Sequence, residues 1–277
     1  EVKPGEKGLR QSDAVFAHVK NLPLLLNRLL QSKGNICAVG ASARPRDTEG
    51  SYMPCFEAGL MAASSISSAM KIPFFEFSHQ AGHIASALFS INRLDILKSR
   101  FIAFHVSGGT TEAVLCTPCG DALRAEILAR SLDLKAGQAV DRVGQMLGLG
   151  FPAGPQLESL ALQSEKSFDI KPSLKGADCC LSGIENLCAG MIEQGCEPRD
   201  VALFCIRYIS ASLEGMLKAL LPLYRGLPLV FAGGVMSNTL IRSYFTREYG
   251  ALFAKPGFSS DNAVGIAVLT KLRVVNE

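Results

Sequence analysis

Short apolar runs bounded by turn residues alternate with longer stretches of helical spacing along most of this chain. That alternation belongs to α/β layers, in which strands bury their apolar side chains under helices. Helical spacing runs over residues 12–30, with Ser12 or Asp13 as N-cap, and again over 56–70 and 79–89. Strands are predicted at 36–39 and 74–77, and 42–54 reads as a polar loop. A second region opens with strands at 101–106 and 112–116 around Ser107-Gly108-Gly109-Thr110-Thr111, the pattern of a hairpin with a glycine turn. Residues 125–129 pair with them. An amphipathic helix at 138–149 ends at Gly150 and Pro152, and further helices are predicted near 155–165, 182–194 and 198–221. The apolar strand 229–232 runs into Gly233-Gly234, with Ser237 or Asn238 capping the next helix. A last strand at 252–254 leads to Asp261 and a closing helix.

With 48% hydrophobic and 19% charged residues over 277 positions, the chain is an ordinary globular one, long enough for two lobes with cores of their own. Its longest apolar stretch, 56–70, is broken by Glu57 and several serines and does not suit a bilayer. No leader with a basic start and apolar middle is visible, and the opening Glu1 reads as a truncated start. Nine scattered cysteines without a secretory signal are expected as reduced thiols, which places the protein in a cytoplasm. Cys116-Thr-Pro-Cys119 lacks the second pair of a zinc ribbon and reads as a turn between strands. Cys179 and Cys180 read as small buried side chains. A net charge of +3 is too small to announce nucleic acid by itself. Arg44 and Arg46, like Lys3, Lys7 and Arg10, read as mixed-charge surface.

Four groups of residues carry chemistry. His79-Gln-Ala-Gly-His83 sets two imidazoles on one helix face, close enough to share a metal ion. Such pairs also occur without an ion, but the chain has only four histidines, and a third, His105, ends the strand entering the glycine turn. The turns at 107–110 and 233–235 each leave an apolar strand, and their backbone N–H groups suit phosphate oxygens; singly, each is also plain turn chemistry. Asp141, on an otherwise apolar helix face, and Glu158, after Gly154-Pro155, are placed to accept ribose hydroxyls or to stand as capping or solvated carboxylates. Asp261, in Ser260-Asp261-Asn262, marks a helix start, where Asp is a good N-cap.

Taken in this order, these segments resemble the tRNA threonylcarbamoyladenosine-forming transferases, also called the glycoprotease or O-sialoglycoprotein endopeptidase family, over nearly the whole chain. His79-x-x-x-His83 looks like that family's metal pair, and Val106-Ser-Gly-Gly-Thr110 resembles its phosphate hairpin. Ala136-Gly-x-x-x-Asp141 and Pro152-x-Gly-Pro155 resemble its nucleoside helix and turn. Leu181-Ser-Gly183, Gly233-Gly-Val-x-x-Asn238 and Ser260-Asp-Asn262 follow in the same order.

The resemblance implies an actin/Hsp70/sugar-kinase-like two-lobed α/β fold with a ligand cleft between the lobes. Residues 1–100 would form an N-terminal lobe lacking its first strands, 101–260 a C-terminal lobe, and 261–277 a closing helix packing back toward the first. It implies transfer of a threonylcarbamoyl group from threonylcarbamoyl-AMP to a tRNA adenosine. By motif, His79, His83 and Asp261 would hold one divalent transition metal, Zn or Fe, with His105 added where some relatives place a Tyr. Ser107, Gly108, Gly109, Thr110, Asp141, Gly154, Glu158, Gly234 and Asn238 would hold an adenylate-type nucleotide. Protein partners of the same pathway, a paralogous actin-fold subunit among them, and no membrane complete the expectation.

The departures are specific. Ala81 stands where the family motif carries Glu, and in Ser182-Gly-Ile-Glu185 Glu185 replaces the usual Lys after Ser-Gly-Leu. Arg44-Pro-Arg-Asp-Thr-Glu-Gly50 occupies the place of a Gly-Pro-Gly-rich loop. These changes keep open a paralogue that binds metal and nucleotide as a scaffold without catalysis. The His pair lacks the Glu after the first His that a metallopeptidase would use as base, and kinases of this fold use Mg²⁺ on oxygen ligands, which leaves both as weaker alternatives.

Overall fold

The computed structural model describes residues 10–31, 34–119, 122–258 and 262–276. Asp261, Ser260, Lys3 and Lys7 lie outside the described residues.

The chain begins with helix α1 (Gln11–Leu30), whose N-cap is Arg10 rather than Ser12 or Asp13, because residue 11 is already helical. Strand β1 (Val39–Arg44) starts where the predicted strand at 36–39 ends, and it takes up the first residues of the predicted 42–54 loop. Register explains the shift: Val39 donates its N–H to the Pro73 carbonyl and pairs with Phe74. Helix α2 (Cys55–Met70) stops at Lys71 with φ 54°, and β2 (Phe74–Ser78) then lies parallel to β1. Helix α3 (His79–Ser90) follows with no intervening loop, because the Ser78 hydroxyl caps it by accepting the Ala81 N–H at 3.2 Å.

Strands β3 (Phe101–Val106), β4 (Thr111–Cys119) and β5 (Ala122–Arg130) form an antiparallel meander. Cys116-Thr-Pro-Cys119 is therefore the end of β4 and not a turn; Cys116 is buried and Cys119 exposed. Helices α4 (Ala136–Met146) and α5 (Gly154–Ala161) come next, α4 ending short of 149 where Gly148 turns the chain at φ 73°. A small hairpin of β6 (Ser173–Lys175) and β7 (Asp178–Cys180), absent from the sequence reading, precedes α6 (Gly183–Glu193) and the long α7 (Pro198–Leu220). Cys179 is buried there, but Cys180 is half-exposed. Strand β8 (Leu229–Ala232), α8 (Thr239–Tyr249, capped by Asn238), β9 (Leu252–Phe253) and α9 (Ala263–Asn276) complete the order.

The main sheet runs β5-β4-β3-β8-β9, with β3, β8 and β9 parallel and the meander antiparallel. Side chains alternate across it. Ile102, Phe104 and Val106 enter the core under α4 to α8, while Phe101 and Ala103 pack with Ile84, Ala87 and Leu88 of α3 on the other face. On the first face Phe104, Phe231 and Phe253 stack, with ring centroids 4.7 and 4.9 Å apart. By the same alternation His105 shares the α3 side with Phe101 and Ala103.

Helix α3 is clamped between this sheet and α9. A Cβ on Gly265 of α9 would sit 1.7 Å from the Gly82 carbonyl oxygen, so only glycine allows the two helices to approach so closely. Among the described residues no helix is long and apolar enough to cross a membrane, and all nine cysteines are free thiols.

Candidate functional site

Because α3 starts directly at the end of β2, its start brings His79 and His83 to the C-terminal end of the central strand β3, which delivers His105. The rings form a row: His79 and His83 centroids are 4.5 Å apart, His83 and His105 5.1 Å. The Nε2 atoms of His79 and His83 are 3.1 Å apart. Two nitrogens each about 2.0–2.1 Å from one tetrahedral ion would be separated by about 3.3 Å, so the pair fits as two ligands. Burial, and then the neighbouring His83, lowers the His79 pKa to about 4. Burial lowers His105 to about 3, with His83, His79 and Arg46 adding to it. Both rings are thus held neutral, the form in which imidazole binds a metal. Among the described residues no group of three or more His, Cys, Asp or Glu is arranged to hold an ion. His105 stands next in the row and Asp261 lies outside the described residues. Its neighbour Asn262 donates to the His79 carbonyl at 2.6 Å and accepts from the Ser42 hydroxyl at 2.8 Å.

The three rings line a cavity of about 350 Å³ together with Thr110 and a loop that the sequence reading treated as surface. That loop, 45–51, is tied to α3: the Gln80 N–H donates to the Pro45 carbonyl at 3.1 Å, and the Ser78 hydroxyl to Asp47 at 2.6 Å. Arg44 and Arg46 are paired, not merely solvated: Arg44 meets Asp47 at 2.8 Å, and Arg46 meets Glu112 at 2.7 Å. Glu112, the second residue of β4, lies directly opposite His105 and is 3% exposed; its second oxygen accepts the Gln80 amide at 2.6 Å. Burial pushes its pKa up, and the Arg46 charge works against that. Arg46, Glu112 and Gln80 were missed as site residues. The one available signal was a lone carboxylate heading the otherwise apolar run Ala113 to Cys116.

A second cavity, of about 340 Å³, lies on the other side of the hairpin. Gly108, Asp141, Gly154, Glu158, Gly234 and Asn238 line it, with apolar walls from Val140, Leu157, Ile206, Ile209 and Ile241. Six of the nine residues expected around a nucleotide are thus brought together. Ser107 and Gly109 are not part of this lining, and Thr110 faces the histidine cavity instead. The Ser107 hydroxyl accepts the Thr110 and Gly109 N–H groups at 3.1 and 3.3 Å, which shapes the turn. Helix α4 docks on it through Thr111 Oγ1, which accepts the Ala136 N–H at 2.8 Å, and the Ser107 carbonyl, which accepts the Gly137 N–H at 3.1 Å. A Cβ on Gly137 would meet the Gly108 nitrogen at 2.6 Å. Asp141 uses one oxygen on the Ala153 N–H at 2.9 Å, and Glu158 uses one on the N–H and hydroxyl of Thr239. Each keeps a second oxygen for another donor. Glu185 is paired with Arg142 at 2.6 Å.

Comparison with known proteins gives a consistent picture. The family model for tRNA N6-adenosine threonylcarbamoyltransferase matches residues 5–268. A tRNA N6-adenosine threonylcarbamoyltransferase of Thermus thermophilus is 32% identical over 261 residues, covering 91% of this chain and 76% of that protein. One from Brucella canis is 31% identical over 280 residues, covering 92% and 74%. Among solved structures, full-length HypF in its phosphate- and nucleotide-bound form has a TM-score of 0.60 at 15% identity, covering 92% of this chain and 50% of that one. HypF of T. kodakarensis has a TM-score of 0.59 at 15% identity, covering 79% and 39%. The structural likeness speaks to fold alone: an α/β fold built on a mixed sheet, shared with HypF.

Proposed function

The chain belongs to the tRNA N6-adenosine threonylcarbamoyltransferase family, and from that premise we propose how its two cavities divide the reaction. The donor is threonylcarbamoyl-AMP and the acceptor the N6 amine of a tRNA adenosine. The amine nitrogen attacks the carbamoyl carbon, the bond from that carbon to the phosphate oxygen breaks, AMP leaves with the bonding electrons, and the nitrogen loses a proton. A mixed anhydride is already activated, so the protein need not supply a nucleophile; it must hold, orient and shield the donor.

The observation that carries this reading is the position of the 107–110 hairpin, whose Gly108 faces one cavity and Thr110 the other. A donor lying across it has its adenosine between the apolar walls of the 340 Å³ cavity and its acyl end beside the histidines. The spare oxygens of Asp141 and Glu158 accept the ribose hydroxyls. The backbone at Gly108 and Gly234 lies against the phosphate. His79 and His83, joined by Asp261 and with His105 adjacent, would hold a transition metal, Zn or Fe, which when bound supplies Lewis acidity at the acyl end. In this reading residues 1–100 and 101–260 are the two lobes, 261–277 closes onto the first, the protein works in the cytoplasm, and pathway proteins including a paralogous actin-fold subunit assist it.

Incubating the protein with threonylcarbamoyl-AMP and tRNA, alone and with those partners, tests the proposal. Threonylcarbamoyladenosine in the tRNA and stoichiometric AMP are expected. Bound nucleotide and metal with neither product would leave a scaffold in place of an enzyme.

A further inference from the structure

We propose that Arg46 is a positioning residue that selects donors carrying a free carboxylate, by binding the carboxylate of the threonine moiety inside the histidine cavity. The assignment rests on the threonylcarbamoyl reading above and adds to it the group that recognises the amino acid.

A donor of this kind carries two anionic groups, a phosphate and an amino-acid carboxylate. With adenosine in the 340 Å³ cavity, the hairpin takes the phosphate, and the carboxylate falls on the far side, in the 350 Å³ cavity. Arg46 is the arginine lining that cavity. One nitrogen of its guanidinium is engaged, on Glu112 at 2.7 Å, and its side chain is 37% exposed, so donor positions remain for a ligand. Its backbone is fixed: the Arg46 N–H donates to the Ser51 hydroxyl at 3.0 Å, and the flanking Pro45 carbonyl is held by Gln80. The guanidinium is therefore placed relative to the helix that carries His79 and His83.

Two acids line the same cavity, Glu49 and Glu112. Each oxygen of Glu112 already has a partner, Arg46 on one and Gln80 on the other, so Glu112 orients the guanidinium and leaves its remaining edge to the incoming anion. A planar fork matched to a carboxylate is the chemistry that tells an amino acid from its amide or ester. The hydroxyls of Thr48, Ser51 and Thr110 in the same lining suit the threonine hydroxyl.

The test is calorimetric titration of the full chain with a non-hydrolysable sulfamoyl analogue of the donor, and with the same analogue bearing a carboxamide in place of the carboxylate. The wild type is expected to bind the carboxylate form about tenfold or more tightly, the size of one charge-assisted contact. In R46Q that ratio falls to near one while AMP binds as in the wild type, and R46K, which keeps the charge without the fork, lies between. R46K also serves if R46Q folds poorly. Equal binding of both analogues by the wild type, or a ratio that survives R46Q, overturns the assignment. A surviving ratio with weakened tRNA binding gives Arg46 to a phosphate of the acceptor instead, and overturns it too. If the wild type binds neither analogue, the threonylcarbamoyl reading itself fails and takes this one with it.

Discussion

Asp133 lies between two segments that the sequence keeps far apart. Its carboxylate accepts the N–H of Leu134 at 2.6 Å, of Leu181 at 2.7 Å and of Ser182 at 3.2 Å, and the Ser182 hydroxyl at 2.6 Å. Burial alone would push its pKa up; these donors outweigh that and hold it below the usual carboxylate range. The carboxylate therefore adds stability above about pH 4, where the unfolded chain is also ionised, and loses it as pH falls through the lower folded value. Asp133→Ala should cost about 1–2 kcal/mol at neutral pH, the lower part of the range for charged hydrogen bonds because the residue is solvent-exposed. The wild-type advantage should shrink in denaturant titrations run at decreasing pH. At the histidines the expected loss is of metal rather than stability. Wild-type protein should carry about one transition metal per chain by elemental analysis, and His79→Ala/His83→Ala none. Equal metal in both would remove the site. His79 and His83 were legible because a four-residue spacing is local. Arg46 and Glu112 were not, since their pairing spans 66 positions and only the fold brings them together.

The elements that carried strong local signals are the ones the sequence located best. Phe101–Val106 is a run of apolar residues ended by a glycine turn, and its predicted and observed bounds coincide. Strand β1 was displaced because Val39–Arg44 is mostly small or polar, with Val39 its sole β-branched residue; parallel pairing with β2 defines it. Residues Ser173–Lys175 are all exposed and carry no alternating pattern, so the β6–β7 hairpin left no mark. The contact of α3 with α9 lies beyond any periodicity, resting on Gly82 and Gly265 meeting from opposite ends of the chain. Gly265→Ala places a methyl against the Gly82 carbonyl, and the helices must move apart. A destabilisation of about 1–3 kcal/mol is expected, as for overpacking elsewhere. Because α3 carries the histidine pair, the same variant should also bind metal less tightly. Unchanged melting and metal content would show that α3 and α9 do not depend on this close approach.

For the molecule as a whole, the proposed function assigns two binding tasks to two cavities, and one chemical step has to join them. Gly108 belongs to one cavity and Thr110 to the other, and among the described residues none lines both. The 340 Å³ cavity is built from α4, α5, α7 and the start of α8, all packed on one face of the sheet; the histidine side is built from α3 and the 45–51 loop on the other. Binding of AMP alone should then depend on the first set and not on the second. At a concentration about 100 times its Kd, AMP should stabilise the protein by about 2.7 kcal/mol, and by the same amount in His79→Ala/His83→Ala. Asp141→Ala should shrink the AMP effect while leaving the metal content intact, since Asp141 lines the 340 Å³ cavity and not the histidine one. Melting curves with and without AMP on the three proteins decide it. If the stabilisation by AMP vanishes with the histidines, the cavities are one coupled site, and the hairpin transmits between them instead of dividing them.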